Sequence, residues 1–196
     1  MVIAPLLRFE RPQPTAELVA HILRVFFPDA TTALDLTPGR GCFWSETVPI
    51  QVTVEASAQD FRALPYADNS YDLVVFDPPH VADAGAHGIM GQRYGTYRQR
   101  ELEPAIRAGC REAWRVARLG VLVKVTDAVH GQTFIRMSGW VYAELGEPFD
   151  VVHGQHRPLI DGKWLEPQLS ARNNGSTYLI FRRDGARHVR RMKGVS

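Results

Sequence analysis

Several features that would restrict the fold or the location of this 196-residue chain are scarce or missing. Only two cysteines occur, Cys42 and Cys110, and their wide separation gives neither a metal-ligand spacing nor a disulfide framework. No apolar run approaches the roughly 18 residues of a membrane span. Residues 1–11 lack the basic, apolar and small-residue order of a secretion signal. We therefore expect a cytoplasmic protein with no metal site and no membrane association.

A strong net charge is also lacking, since 23 basic and 21 acidic residues leave the chain at +2. Basic side chains nevertheless concentrate in the final segment, about residues 182–196. Such a cluster can neutralise phosphates of a polyanion, and an ordinary solvated tail has the same composition. Both interpretations stay open. The segment contains Arg182, Arg183, Arg187, Arg190, Arg191 and Lys193 against one acid, Asp184.

The apolar segments indicate helices and strands that alternate along one domain, residues 1–196. Hydrophobic residues make up 45% and charged residues 22%, as in globular chains with a core. Alternation of this kind predicts an α/β fold, with a mostly parallel sheet covered by helices on both faces. The predicted helices span 15–26, 101–118 and 134–145, and the predicted strands span 32–37, 50–55, 71–76, 121–125, 149–152 and 177–181.

The residues that follow each predicted strand are the candidates for ligand binding, because ligands of such sheets bind beyond the carboxyl ends of the strands. The first strand leads into a turn from Asp35 through Gly39 to Gly41, whose glycines let the backbone approach a ligand closely. Glu55 follows roughly twenty residues later, a spacing at which an acid hydrogen-bonds ribose hydroxyls. Asp60 is placed to accept a hydrogen bond from an adenine amino group. A nicotinamide-dependent oxidoreductase is disfavoured, because the third glycine of its fingerprint is missing.

The strongest signal is the segment Asp77-Pro78-Pro79-His80, directly after a buried strand. Two consecutive prolines remove backbone donors and hold the chain stiffly extended. They would present the Asp77 carboxylate at the sheet edge beside a backbone carbonyl. These two acceptors can bind both hydrogens of an exocyclic NH2 group, and the ring of His80 could stack on a base. The alternative is a rigid turn without chemistry.

The stretch from residue 80 to about residue 100 is unusually long for a connection inside a compact domain. Its composition, rich in glycine, histidine, arginine and tyrosine, is typical of a lid or a substrate loop. A disordered insertion is the alternative. The side chains that could contact phosphates and bases are Arg93, Tyr94, Tyr97, Arg98 and Arg100.

Taken in this order, these segments resemble the class I S-adenosylmethionine-dependent methyltransferases. Asp35-x-x-x-Gly39-x-Gly41 looks like the cofactor loop of that family. Asp77-Pro78-Pro79-His80 looks like the catalytic tetrad of its DNA and RNA amino-methyltransferases, and residues 171–181 resemble the closing strand of small phage-type or prophage-type DNA N6-adenine and N4-cytosine enzymes. The resemblance implies a Rossmann-like fold with seven strands, of which the last is antiparallel.

The resemblance also implies the cofactor, S-adenosyl-L-methionine, and a set of site residues. The implied reaction is direct methyl transfer to an exocyclic amine, with Asp77 and the Pro78 carbonyl orienting that amine and no metal taking part. The implied catalytic residues are Asp77, Pro78, Pro79 and His80. The implied cofactor-binding residues are Arg11, Asp35, Thr37, Gly39, Gly41, Glu55, Asp60, Phe61 and Asp77.

Adenine N6 in DNA is the target that the aspartate form of the tetrad favours. RNA is the alternative nucleic acid, with methylation at guanine N2 or adenine N6. Two departures from the pattern keep further alternatives open: His80 replaces the usual tyrosine, phenylalanine or tryptophan, and no large insertion provides target recognition. These alternatives are a degenerate module that binds cofactor or nucleic acid without activity, and a small-molecule methyltransferase. Target recognition could also come from a protein partner or a homodimer.

Overall fold

The computed structural model describes the chain in nine stretches: 15–38, 43–44, 51–53, 60–79, 99–130, 133–155, 159–160, 163–164 and 175–183. Three helices lie in them: α1 (Thr15–Phe26), α2 (Gln99–Val116) and α3 (Met137–Leu145). The strands of the main sheet are β1 (Thr32–Asp35), β2 (Gln51–Thr53), β3 (Tyr71–Phe76), β4 (Ala117–Val125), β7 (Asp150–Gln155) and β10 (Gly175–Arg182). Two small hairpins pair β5 (Ala128–His130) with β6 (Thr133–Ile135), and β8 (Leu159–Ile160) with β9 (Lys163–Trp164).

The main sheet has the strand order β2-β1-β3-β4-β10-β7. Neighbours from β2 to β4 are parallel, whereas β10 is antiparallel to both β4 and β7. Within this sheet, β10 is thus the strand that runs against the other five. The prediction of an α/β fold with a mostly parallel sheet and an antiparallel last strand is confirmed, with six of the seven expected strands in the described stretches.

Helices cover both faces of the sheet, as the sequence predicts. On one face, α1 buries side chains that recur at helical spacing, and these contact alternate residues of the central strands. On the other face, α2 and α3 bury theirs against the remaining residues of the same strands. The first core includes Leu18, Ile22, Leu23, Val75 and Ile180, and the second includes Phe76, Leu102, Ile106, Val123 and Val141. Each such side chain contributes about 1.5–3 kcal/mol when fully buried.

Two glycines allow close contacts that fix how the layers meet. A Cβ atom at Gly109 of α2 would lie 2.6 Å from the ring of Phe76, so this helix approaches β3 more closely than any side chain would permit. A Cβ atom at Gly120 would lie 2.1 Å from the backbone oxygen of Phe181, in the neighbouring strand. The first contact brings α2 close to β3, and the second brings β4 close to β10.

Two predicted helices are wrong at one end. The helix predicted over 101–118 ends at Val116, and Ala117 and Arg118 belong to strand β4. The sequence predicts a helix over 134–145, but Phe134 and Ile135 belong to the hairpin strand β6, and α3 begins at Met137. The reason is local, because Arg136 has φ −98° and ψ 84°, outside the helical region. Among the described helices, none combines the length and the apolar character that crossing a bilayer requires.

Candidate functional site

The carboxyl ends of β1 and β3 form the natural ligand site of this sheet. Strand β1 pairs with β2 on one side and with β3 on the other, so the chain switches sides after β2. A crevice opens outside the strand ends at such a switch point. The segment 35–38 leaves β1 at this place, and the segment 77–79 leaves β3 beside it. The structure thus brings Asp35, which begins the predicted cofactor loop, and Asp77, which begins the predicted tetrad, to the same edge.

Asp35 is fully buried, and both of its oxygens accept hydrogen bonds. Oδ1 accepts from the backbone N–H of Thr37 at 2.9 Å, and Oδ2 accepts from the indole N–H of Trp44 at 2.8 Å. Burial raises the pKa of Asp35 from 3.8 to about 6, and these two hydrogen bonds offset part of the rise. Asp35 therefore shapes the turn after β1 and connects it to Trp44, rather than presenting a free carboxylate.

Thr37 and Lys124 connect Asp77 to the two neighbouring strands. The backbone N–H of Asp77 donates to Oγ1 of Thr37 at 2.9 Å. The ammonium of Lys124, from β4, lies 2.8 Å from Oδ2 of Asp77, and the two side chains are only 14% and 16% exposed. No residue in the described stretches donates to the other oxygen, Oδ1. One acceptor of Asp77 is thus fixed and the second is left for a ligand.

Lys124 and Trp44 are site residues that the sequence did not assign. Lys124 interrupts the apolar run 121–125 of β4, and its ammonium lies 5.2 Å from the centre of the Phe43 ring, within cation–π range. A lysine in a buried strand is a signal in itself, because its charge must find a partner there. The sequence around Trp44 gives no such signal, because its contact with Asp35 forms only in the folded chain.

The remaining described site residues have different surroundings. Pro78 and Pro79 are buried directly after Asp77. Phe61 is buried with its ring 5.2 Å from that of Phe76, so it contributes to the core under β3. Asp60 is exposed and pairs with Arg62 at 2.8 Å, and the hydrogen bonds from that arginine lower the pKa of its carboxyl. Cofactor contacts of Asp60 and Phe61 stay predictions.

Five of the predicted site residues lie outside the described residues, and their roles also stay predictions: Arg11, Gly39, Gly41, Glu55 and His80. The same holds for the predicted substrate loop up to residue 98 and for the basic tail from residue 184.

The charged side chains that meet at this edge in the described stretches include Asp35, Asp77 and Lys124, and the Lys124 ammonium is paired with Asp77. Across the described stretches, no three histidine, cysteine or acidic side chains lie together in a way that could hold a metal ion.

Comparisons with known proteins find similar solved structures but no matching sequence family. No family model and no curated protein matches the chain. Among similar solved structures is an S-adenosylmethionine-dependent methyltransferase from Methanosarcina mazei, with 10% identity, a TM-score of 0.44, and 82% of this chain and 96% of that chain covered. A second such methyltransferase, from Aquifex aeolicus, has 13% identity, a TM-score of 0.43, and coverages of 84% and 88%.

A third similar structure is a methyltransferase from Thermotoga maritima, described as a possible histamine N-methyltransferase. It has 12% identity, a TM-score of 0.40, and coverages of 84% and 88%. Because these identities and TM-scores are low, the fold of this chain rests on its own strand order, and its function must be argued from its own residues.

Replacing Asp35 with asparagine is expected to change how stability depends on pH. The folded state holds the Asp35 proton with a pKa of about 6, against 3.8 in the unfolded chain, so its contribution to stability is present below pH 4 and is lost as the pH rises to about 6. The loss is on the order of 3 kcal/mol.

The measurement is urea unfolding of wild type and Asp35→Asn between pH 4 and pH 7.5. The variant should be most destabilised, relative to wild type, at pH 4, and the difference should shrink toward pH 7. A difference that stays constant over this range would contradict the burial of an Asp35 carboxyl with a raised pKa.

Proposed function

We propose that this protein is an S-adenosylmethionine-dependent methyltransferase that methylates an exocyclic amine of a nucleic-acid base, with adenine N6 in DNA as the favoured target. The observation that carries the proposal is the junction of two strand ends through one hydrogen bond, from the Asp77 backbone N–H to Thr37 Oγ1. This bond joins the start of the proposed cofactor turn to Asp77, whose Oδ1 receives no hydrogen bond from a described residue. A methyl donor and an acceptor amine must meet at such a junction.

The residues described at this edge are compatible with the cofactor, because Asp35 and Asp77 are acidic and the sulfonium is a cation. Asp35 accepts hydrogen bonds from Thr37 and Trp44 and so holds the start of the turn after β1. The residues that would hold the cofactor directly are the 37–41 turn and Glu55, on the strength of the sequence pattern.

The residues of the β3 end fit an exocyclic amine. An NH2 group on a base has two hydrogens to donate. Asp77 Oδ1 and the carbonyl of the next residue, Pro78, are two acceptors on a stiff stretch of chain. Accepting both hydrogens directs the nitrogen lone pair away from the protein edge and raises its electron density. When bound, the cofactor supplies a methyl group that passes from sulfur to this nitrogen, as the S–C bond breaks, the N–C bond forms and the amine loses a proton to water.

Support for a nucleic-acid substrate comes from the sequence. The Asp-Pro-Pro-His segment resembles the tetrad of base-modifying enzymes, and Arg187, Arg190, Arg191 and Lys193 are basic residues that could bind phosphates. Arg182 and Arg183 instead pack over Phe149 and Trp114. A base in a duplex would have to be turned out of its stack to reach Asp77. The proposal extends to one methyltransferase domain over residues 1–196, with a soluble, cytoplasmic setting.

The test is product identification. The full chain is incubated with methyl-labelled S-adenosylmethionine and, separately, with mixed-sequence DNA, total transfer RNA and a panel of small amines. The nucleic acids are then digested to nucleosides and analysed by mass spectrometry. N6-methyladenine in DNA is the expected product. A methylated base in RNA alone would change the assigned substrate from DNA to RNA. Transfer to a small amine alone would overturn the nucleic-acid assignment. No transfer to any acceptor would overturn the enzyme assignment.

A further inference from the structure

Lys124 is the one charged side chain on the buried part of β4, between Val123 and Val125. Placing an ammonium group there is costly unless a partner offsets the loss of water. Its partner is Oδ2 of Asp77 at 2.8 Å, at the end of the neighbouring strand β3. The pair is largely shielded from solvent, so its geometry is fixed far better than that of an exposed ion pair.

The contacts of Lys124 leave little freedom for either partner. The Phe43 ring covers the ammonium at 5.2 Å, and the Asp77 main chain is tied to Thr37 by its N–H. A carboxylate with a tethered backbone and one tethered oxygen has a restricted orientation. The place of its other oxygen, Oδ1, is restricted with it.

We infer that Lys124 is a positioning residue, whose ammonium group holds Oδ2 of Asp77 so that Oδ1 stays aimed at the substrate amine. The inference rests on the proposed function for the identity of the substrate, but the ion pair itself does not. Lys124 touches no reacting atom in this account. It acts through Asp77 alone.

The groups that face the pair come from three further strands or turns. Asp35 lies at the end of β1, where the Asp77 charge raises its pKa and the Lys124 charge lowers it. Tyr178 of β10 lies opposite Lys124 in the strand register, and burial, with a smaller effect of the Asp77 charge, raises the pKa of its hydroxyl. Trp44 donates to Asp35 from the turn after β1. Removing the lysine charge should therefore raise the pKa of Asp35 above about 6.

The experiment compares Lys124→Met, which keeps the length of the chain, with Lys124→Arg, which keeps the charge. Arg111→Met serves as the control. Arg111 lies on α2, its side chain is 59% exposed, and it pairs with Glu144 of α3. Lys124→Met should lower kcat about 100-fold, the scale expected for a misplaced catalytic group, with the cofactor KM nearly unchanged. Lys124→Arg should restore most of the loss, and Arg111→Met should match wild type.

A double-mutant cycle separates positioning from a direct role. If Lys124 acts through Asp77, then Lys124→Met should have almost no effect on kcat in an Asp77→Asn background. Effects that add in the double variant would overturn the inference. So would a Lys124→Met enzyme with wild-type kcat.

A readout without catalysis tests the ion pair separately. Carbon-13 NMR of aspartate carboxyl groups should show the Asp35 titration at a higher pH in Lys124→Met than in wild type, and at the wild-type pH in Lys124→Arg. An unchanged Asp35 titration in Lys124→Met would overturn the ion pair even in an active enzyme. A wild-type protein that transfers no methyl group, with the Asp35 titration shifted as expected, would instead overturn the proposed function and leave the pair standing.

Discussion

Asp77→Ala is expected to lower the rate of methyl transfer by about 10³-fold or more, a much larger effect than its effect on cofactor affinity. The variant removes Oδ1, which would accept the amine hydrogen, and leaves Lys124 buried without its partner. It keeps the turn after β1, because Thr37 is bonded to the Asp77 backbone and not to its side chain. The loss should therefore fall on kcat.

The comparison needs a graded variant and a surface control. Asp77→Asn keeps an oxygen acceptor and removes the charge, so its kcat should lie between those of wild type and Asp77→Ala. Asp150→Ala replaces an exposed aspartate at the start of β7 and should match wild type. Rates come from single-turnover transfer of labelled methyl, with cofactor affinity from calorimetry. Retention of more than about a tenth of wild-type kcat by Asp77→Ala would exclude Asp77 as the group that orients the amine.

Asp72→Ala is expected to reduce the free energy of unfolding by about 3–5 kcal/mol. Asp72 is buried at the start of β3, where Oδ2 accepts from the backbone N–H of Thr31 and of Thr32 and from the Thr31 hydroxyl. Its other oxygen accepts twice from Arg118. Burial alone would raise the pKa of Asp72, but these hydrogen bonds outweigh it and lower the pKa to about 2.

Removal of Arg118, the other half of the ion pair, should cost much less. Arg118 is 55% exposed, so Arg118→Ala should lose about 1 kcal/mol, as exposed pairs do. Because the folded pKa of Asp72 lies below the unfolded value of 3.8, its contribution is full above that value and is lost as the pH falls toward 2. Urea unfolding at pH 7 measures the stability lost in each alanine variant, and unfolding at pH 3 measures how much of the Asp72 contribution is lost in acid. Equal losses for the two alanine variants would show that the two backbone N–H bonds to Asp72 contribute little.

The fold could be predicted from the sequence because its signals are periodic and local. The spacing of Leu18, Ile22 and Leu23 identifies α1, and the apolar run 71–76 identifies β3 with the bounds that the structure has. The strand order carries no local signal and was not predicted, and the opposite direction of β10 was expected only through the resemblance to a known family. The hairpin at 128–135 was missed because its two short strands have no period to detect.

The candidate site was predictable only where single residues follow strands. Asp35 and Asp77 could be found that way, because parallel strand ends share one edge. The Asp77–Lys124 and Asp35–Trp44 contacts could not, because they join residues 47 and 9 positions apart through the tertiary path of the chain. The burial of Asp35 and Phe61 was equally hidden, and their predicted cofactor contacts stay predictions.

The most direct test of the central claim is calorimetric binding of S-adenosylmethionine to the full chain, carried out in parallel on Asp35→Ala. The account predicts one site per chain in wild type, and an affinity at least about tenfold weaker in the variant, because the turn after β1 loses its ties to Thr37 and Trp44. Absence of binding to a wild-type protein that unfolds cooperatively, or binding that is indifferent to Asp35, would contradict the claim that this strand edge is a methyl-donor site.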